Sequence, residues 1–500
     1  MAVMKKYPYG LDEPLLWFDK YPWTIRNSLE GTAILGDMGS GKTSGSGRTI
    51  RRALLNAGYG GLVLCKKNDE AESWIEDAWS CKRQDQLLVV HPSQPFRFNF
   101  LPYQFTRAGE GAGHLENAVQ MFLNIIENRR EGQSAAQEQG LQFFMDGAKD
   151  LIRHCLAILI MSGEQVSMDN MRKIVRSLPY ASTEGPKFPQ GSYLQTILKR
   201  AVRRANVSDL TSRDVEEYFL GEFARSGANR QSAGILSTFT GMAQSFMSGP
   251  IRELFCTETN FVPEFSRKGA IIILNLPLDE WEEIGRTAQL MFKYIWQRAI
   301  LRRQGLPPGE VPVFLWADEA SNFITTADRN FQEASRSSVC ATVFLSQNIN
   351  NYIAAFTTNP EANTDALLAG LGTKIFHRNG DQRTNSWAAE TISKSIQYRY
   401  SGGENESRGF SEGQNWGSNS GYSHTVGSSG SSGGYSSGSN IGYSKNKGTS
   451  SGWQQQIDYQ VQPEMFTRLA AVGYVQAVVF KSGAQFPPSG LPFTGVTFKQ

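Results

Sequence analysis

Apolar residues along this chain fall into short uninterrupted runs separated by stretches with helical spacing. Glu30-Gly-Thr-Ala-Ile-Leu-Gly36 is a short apolar run entering a glycine loop, and Thr49 to Asn56 then carries a helical pattern. Gly61 to Cys65 and Gln86 to Val90 are further short runs. Such runs, bounded by turn residues, predict strands buried on both faces. Alternating with helices, they predict an α/β fold with a mainly parallel sheet.

The pattern changes over residues 104–262. Leu141, Phe144, Met145, Ala148, Leu151, Ile152, Cys155 and Leu159 recur at helical intervals, and Met168 to Leu178 and Tyr193 to Arg204 also read as helices. This predicts an inserted all-α domain, large enough for its own core. Strand runs return at Ala270 to Leu274, Val313 to Ala317, Ala341 to Leu345 and Thr373 to Phe376. The expected organisation is a nucleotide-binding domain in three parts, 1–103, 263–400 and 454–500, interrupted by the helical domain and by segment 401–453. In that segment 28 of the positions 401–450 are Gly or Ser. Too little apolar surface is present to offset the entropy of ordering, so a flexible loop is expected. It carries Phe410, Trp416, Tyr422, Tyr435, Tyr443 and Trp453 at irregular intervals, the marks of an arm that stacks on bases or meets a partner. Tyr474 to Phe480 reads as one last strand.

Composition changes this picture little. Lys plus Arg total 50 against 47 Asp plus Glu, so any basic surface is local. Cys65, Cys81, Cys155, Cys256 and Cys340 are odd in number and form no CxxC pair, which predicts free thiols rather than a disulfide scaffold or zinc site. His91, His114, His154, His377 and His424 lack metal-ligand spacing. No run reaches the about 20 apolar residues a membrane helix needs, and the N-terminus does not read as a signal peptide. The expectation is a cytoplasmic protein, brought to the inner membrane face only by a partner.

The candidate chemistry lies in the glycine loop. Gly36-Asp37-Met38-Gly39-Ser40-Gly41-Lys42-Thr43, followed by Ser44, matches GxxxxGK[ST] between a strand and a helix. Glycines let backbone N–H groups curl around a β-phosphate, and the helix N-terminus adds its positive end. Lys42 reaches the β- and γ-phosphates, and the Thr43 hydroxyl meets Mg²⁺. Val313 to Ala317 ends in Asp318-Glu319, the first acid placed for Mg²⁺ and the second to polarise the attacking water. Ser346-Gln347 closes a later strand, where the glutamine can sense the γ-phosphate or hold the lytic water. Arg336, just upstream, is a candidate to reach a neighbouring subunit's nucleotide. ATP and Mg²⁺ are the expected cofactors. Lys42 and Asp318 flank a whole inserted domain, which suits a motor better than a small-molecule kinase.

The order of motifs resembles the TraG/TraD-like type IV coupling proteins, within the FtsK/HerA superfamily of DNA-translocating ATPases. The resemblance rests on the phosphate loop, Lys66-Lys67-Asn68, Arg97-Phe98-Asn99-Phe100-Leu101, the helical insertion, Trp316-Ala-Asp-Glu-Ala320, Phe344-Leu-Ser-Gln-Asn348 and Thr373-Lys-Ile-Phe376 followed by Asp381-Gln-Arg-Thr384. It implies a RecA-like core in a homo-hexameric ring with nucleotide at subunit interfaces. Lys42, Thr43, Asp318, Glu319 and Gln347 take the family's catalytic positions and Arg336 that of a trans-acting arginine. The implied partners are DNA, a relaxase or effector protein, and secretion-channel ATPases, with the helical domain receiving substrate. Many coupling proteins begin with membrane helices; this sequence is more similar to soluble relatives through Gly61-Leu-Val-Leu-Cys-Lys-Lys67 and Pro95-Phe-Arg-Phe-Asn-Phe-Leu-Pro-Tyr103.

A ring motor grips DNA phosphates with basic side chains. Lys199 with Arg203, and Arg200 with Arg204, share helix faces, and a solvated face is the first reading of that run. Arg225, Arg230, Arg378 and Arg383 are equal candidates. Three functions remain open: a coupling ATPase, a soluble DNA motor in processing or packaging, and an ATP-gated adaptor that recruits protein cargo.

Overall fold

The computed structural model describes residues 9–127, 138–180, 182–203, 211–224, 230–247, 249–425 and 428–500. They form two compact units, Met1–Ala388 with Pro463–Gln500, and Ala389–Gln462. The strands are β1 (Pro14–Phe18), β2 (Tyr21–Thr24), β3 (Thr32–Leu35), β4 (Gly60–Leu64), β5 (Leu87–Val90), β6 (Ile271–Leu274), β7 (Val313–Ala317), β8 (Cys340–Ser346), β9 (Thr373–Phe376), β10 (Lys394–Thr425), β11 (Ser428–Tyr459), β12 (Tyr474–Lys481) and β13 (Phe493–Lys499).

Nine strands make the main sheet, in the order β13-β12-β9-β3-β8-β7-β4-β6-β5. The seven from β9 to β5 are parallel. β12 runs antiparallel to both β9 and β13. The fold is thus α/β with a mainly parallel sheet, as the apolar runs predict. Those runs are buried because helices cover both faces. On one face Ile34, Val63, Ile273, Phe314, Trp316, Val343, Leu345 and Ile375 pack with Ile50, Leu54 and Leu55 of the helix Arg48–Asn56 and with Trp74. On the other, Gln289 of the helix Leu278–Leu301 bonds both the N–H and the C=O of Cys65 at 2.9 Å. All parallel strands end on one edge, where Leu35 lies beside Ser346 and Phe376, and Leu64 beside Ala317 and Leu274.

Helices separate β5 from β6, among them Phe100–Thr106, Leu115–Glu127, Glu138–Ser162, Met168–Arg176, Tyr193–Ala201, Arg230–Met247 and Gly249–Phe255. Along Glu138–Ser162 the expected apolar stripe is buried at Met145, Ala148, Leu151, Ile152, Cys155 and Leu159. The Leu141 side chain lies outside the described residues. Cys81 is half-buried and the other four cysteines are buried, all five free. Among the described residues no helix is long and apolar enough to cross a membrane.

The strands depart from the sequence reading in three places. β1 and β2 form an N-terminal hairpin that buries Phe18 and Trp23. β12 is followed by β13, so Tyr474 to Phe480 is not the last strand. The third departure is larger. Segment 401–453, expected as a loop, lies within a ladder that pairs Lys394 with Tyr459 through to Thr425 with Ser428. Backbone pairing needs no large side chains, so Gly/Ser composition does not forbid it. The aromatic intervals look irregular along the chain because two antiparallel strands are read in succession.

Candidate functional site

The phosphate loop leaves β3 at the edge where the parallel strands end. Its entry is fixed by backbone bonds from Gly36 N–H to Ser346 C=O at 3.2 Å and from Asp37 N–H to Arg378 C=O at 3.0 Å. The Asp37 carboxylate in turn accepts from Gly380 N–H at 2.7 Å. Gly39 and Gly41 adopt φ of +69° and +81°, a region costly to other residues. Gly41 is also required by space, because a Cβ there would stand 2.5 Å from Val475 Cγ2 on β12. Met38 is exposed at the loop tip, whereas the buried Ser40 hydroxyl has no protein partner. After Gly41 a π-helical turn, Lys42–Gly47, leads into the helix Arg48–Asn56.

The acids from the end of β7 meet this loop. Thr43 Oγ1 donates to Asp318 Oδ2 at 2.7 Å, and Lys42 Nζ lies 3.1 Å from Glu319 Oε1. Gln347 Nε2 donates to the same Glu319 oxygen at 3.2 Å. Lys42, Asp318 and Glu319 are all buried. Glu319 has the left-handed backbone φ 49°, ψ 52°, strain of the kind that active sites retain because it aims a side chain. Three segments far apart in the chain, at 42–43, 318–319 and 347, therefore meet beside one cleft of about 390 Å³, lined by residues 38–44, Arg48, Arg51, Lys66, Lys67, Ser73, Glu319 and Gln347, with Asp318 held against Thr43.

Several of these wall residues carried no role in the sequence reading. Lys66 and Lys67 follow β4 and add two cations to the rim. Lys66 N–H donates to Glu70 Oε2 at 2.9 Å. Burial first, and then the Asp318 charge, push the Glu70 carboxyl well above its ordinary range. Arg48, Arg51 and Arg52 all bond the fully buried Asp77 carboxylate, with Arg48 at 3.0 Å and Arg52 at 2.8 Å, which locks the helix Arg48–Asn56 beside the cleft. The three arginines share one helix, and their common anchor lies on another, Glu70–Ser80.

His377, at the end of β9, is an isolated histidine in the sequence. Its Nε2 lies 2.6 Å from Ser46 Oγ beneath the phosphate loop. Burial, reinforced by the Lys42 charge, pushes the imidazole down to about 3. It is neutral in the native state, whereas an unfolded histidine titrates near ~6.5. Below that pH the unfolded chain binds the extra proton. Stability is therefore intact above the unfolded value and falls by up to about 1.4 kcal/mol per pH unit toward the native one. His377→Gln is expected to flatten the acid limb of a thermal-denaturation series between those limits. An unchanged limb in the variant would refute the neutral burial.

The other sequence candidates are elsewhere. Arg336 is exposed after the helix Thr326–Ser335, at the start of β8. The cleft is at the far end of that seven-residue strand, about 20 Å away. Arg336 is thus not brought to its own chain's site. Arg200 pairs with Glu164, Arg383 with Glu361 at 2.7 Å, and Lys199 and Arg203 are exposed. Arg204 and Arg225, and the Arg230 side chain, lie outside the described residues.

Fold and site together define a P-loop protein: a parallel sheet, the phosphate loop on the strand between β8 and β9, and an acid pair one strand further on. No family model and no curated protein matches the sequence. Among solved structures, the chain is similar to the bacterial conjugative coupling protein TrwBΔN70, with a TM-score of 0.59 and 12% identity over 97% of this chain and 88% of that one. TrwB in complex with a non-hydrolysable ATP analogue gives a TM-score of 0.60 at 11% identity, covering 98% of this chain and 89% of that one. TrwB with ADP and Mg²⁺ gives 0.59 at 11% identity and the same coverage. At this identity the likeness establishes the fold: this chain has the RecA-like coupling-protein fold of TrwB.

Proposed function

We propose that the chain is an ATP-driven DNA translocase acting as a coupling protein for conjugative DNA transfer or type IV secretion. The observation that carries this reading is the meeting of Lys42, Thr43, Asp318, Glu319 and Gln347 in one cleft, on the fold of a conjugative coupling protein. ATP fits the cleft: glycines bare the loop amides, a buried hydroxyl at Ser40 awaits a partner, and cations line the rim. Thr43 and Asp318 supply hard oxygen ligands for Mg²⁺, which when bound neutralises charge on the β- and γ-phosphates. Lys42 holds the γ-phosphate. Glu319 takes the proton of the attacking water, and Gln347 fixes the orientation of that carboxylate. A homo-hexameric ring with DNA in its pore, and a relaxase or effector as cargo, completes the reading.

The decisive assay is ATP turnover without DNA and with single- or double-stranded DNA, alongside particle images. Stimulation by at least one form of DNA and a closed ring are expected. Turnover indifferent to both would sink the translocase and favour a cargo adaptor. With its own cleft out of reach, Arg336 is assigned to a neighbour's nucleotide. Arg336→Ala is expected to lower turnover about 10³-fold, in the range of arginine fingers. Mixing it with Lys42→Ala chains should restore activity at shared interfaces, and no restoration counts against the trans role.

A further inference from the structure

The paired strands β10 and β11 are 32 residues each and continue in one register without a bulge. At about 3.4 Å per residue the ribbon is on the order of 100 Å long. It is a two-stranded sheet, so both long edges carry unpaired N–H and C=O groups. Two-stranded ribbons are marginal in water; a third strand or a packing layer is needed for stability.

Its two faces differ sharply. Residues directly opposite share a face, and the pairs Phe410–Tyr443, Glu412–Ile441, Trp416–Ser437 and Ser418–Tyr435 are all of one parity. Phe410, Trp416, Tyr435, Ile441, Tyr443 and Ile457 therefore stand on one face, between 57% and 94% exposed. The other face presents Gly409, Ser411, Gly413, Gly438, Asn440, Gly442 and Ser444. A Cβ at Gly413 or Gly438 would meet nothing within 4 Å, and neither has positive φ. The ribbon itself therefore does not require glycine there. Small residues suit the concave side of a curving sheet, where side chains converge.

The edges are complementary in charge. Between residues 401 and 425 the first strand carries Glu404, Glu406 and Glu412 against Arg408; between 428 and 450 the second carries only Lys445 and Lys447. Lys445 Nζ already pairs with Glu406 Oε1 at 3.0 Å within the ribbon. Joining two β10 edges would set acids against acids, and joining two β11 edges lysines against lysines. Joining β10 to a neighbour's β11 sets acids against lysines and extends the antiparallel ladder. That contact is head-to-tail, and repeated head-to-tail contacts close into rings.

We propose that the ribbon is a self-assembly surface: the β10 edge of one copy pairs with the β11 edge of the next, closing the ribbons of several copies into an antiparallel barrel without free edges. The pairing needs no nucleotide and does not rest on the ATPase reading. Thr425 stands opposite Ser428, and in a hairpin of that register the pair exchanges both backbone bonds. Even-numbered residues of β10 therefore direct N–H and C=O to the free edge. Proline at Ser418 and Ser420 removes edge donors while leaving the internal ladder its bonds.

The test uses the full chain without nucleotide, native and Lys42→Ala, by sedimentation velocity and hydrogen exchange. Both proteins are expected to associate, with the Trp416 and Ser418 amides protected. Ser418→Pro with Ser420→Pro should weaken association at least tenfold and expose the Trp416 amide. Lys445→Glu with Lys447→Glu, and separately Glu406→Lys with Glu412→Lys, should each fail to assemble alone yet co-assemble when mixed. Unprotected edge amides in the native protein at every concentration would overturn the proposal. So would assembly indifferent to both the prolines and the charges, or retention of single-stranded DNA by a ribbon that stays unpaired.

Discussion

Replacing Lys42 by alanine is expected to abolish ATP turnover, with a fall of at least about 10³-fold in single-turnover hydrolysis. The side chain is buried and its ammonium sits 3.1 Å from Glu319. Between buried groups each charge contact with the γ-phosphate is worth more than in water. Loss of about 4 kcal/mol of transition-state stabilisation corresponds to that rate. The substitution also leaves the Glu319 carboxylate buried without its cation, which destabilises the fold by roughly 3–5 kcal/mol. Thermal melts separate the two effects. A folded variant that turned over ATP within tenfold of the native rate would remove the phosphate-loop lysine from the chemistry.

Glu319→Gln carries the second large effect. The amide is nearly isosteric and retains an oxygen for the Gln347 bond, so nucleotide affinity is expected to persist. The amide cannot accept a proton, and hydrolysis should slow by about 10²–10⁴-fold, the ordinary contribution of a positioned base. The protein should accumulate in its ATP-bound form, which filter binding with radiolabelled nucleotide reads directly. Normal turnover in this variant would falsify Glu319 as the base and shift the role to another group in the cleft.

The sequence exposed what is contiguous. The loop from Gly36 to Thr43, the pair Asp318-Glu319 and the apolar runs of β3, β4 and β7 each carry their meaning within a few residues. What escaped is set by long-range pairing. His377 is a lone histidine until β9 is placed beside β3. Arg48 and Arg51 are a basic helix turn until Asp77 from another helix gathers them. β13 is mostly exposed or half-exposed and is marked as a strand by its pairing with β12. The ribbon is invisible to composition, because its faces exist only in register. Phe410 and Trp416 are an even number of residues apart, as are Tyr435, Ile441 and Tyr443, and period-two spacing of that kind marks a face only once the partner strand is known.

The floor under Gly41 also has a bearing on how the molecule is made. A nascent chain that has emerged from the ribosome as far as the acid pair already owns every charged group of the cleft. It does not yet own Val475, the side chain on which the loop rests. The bed of the loop is thus complete only once β12 has paired with β9.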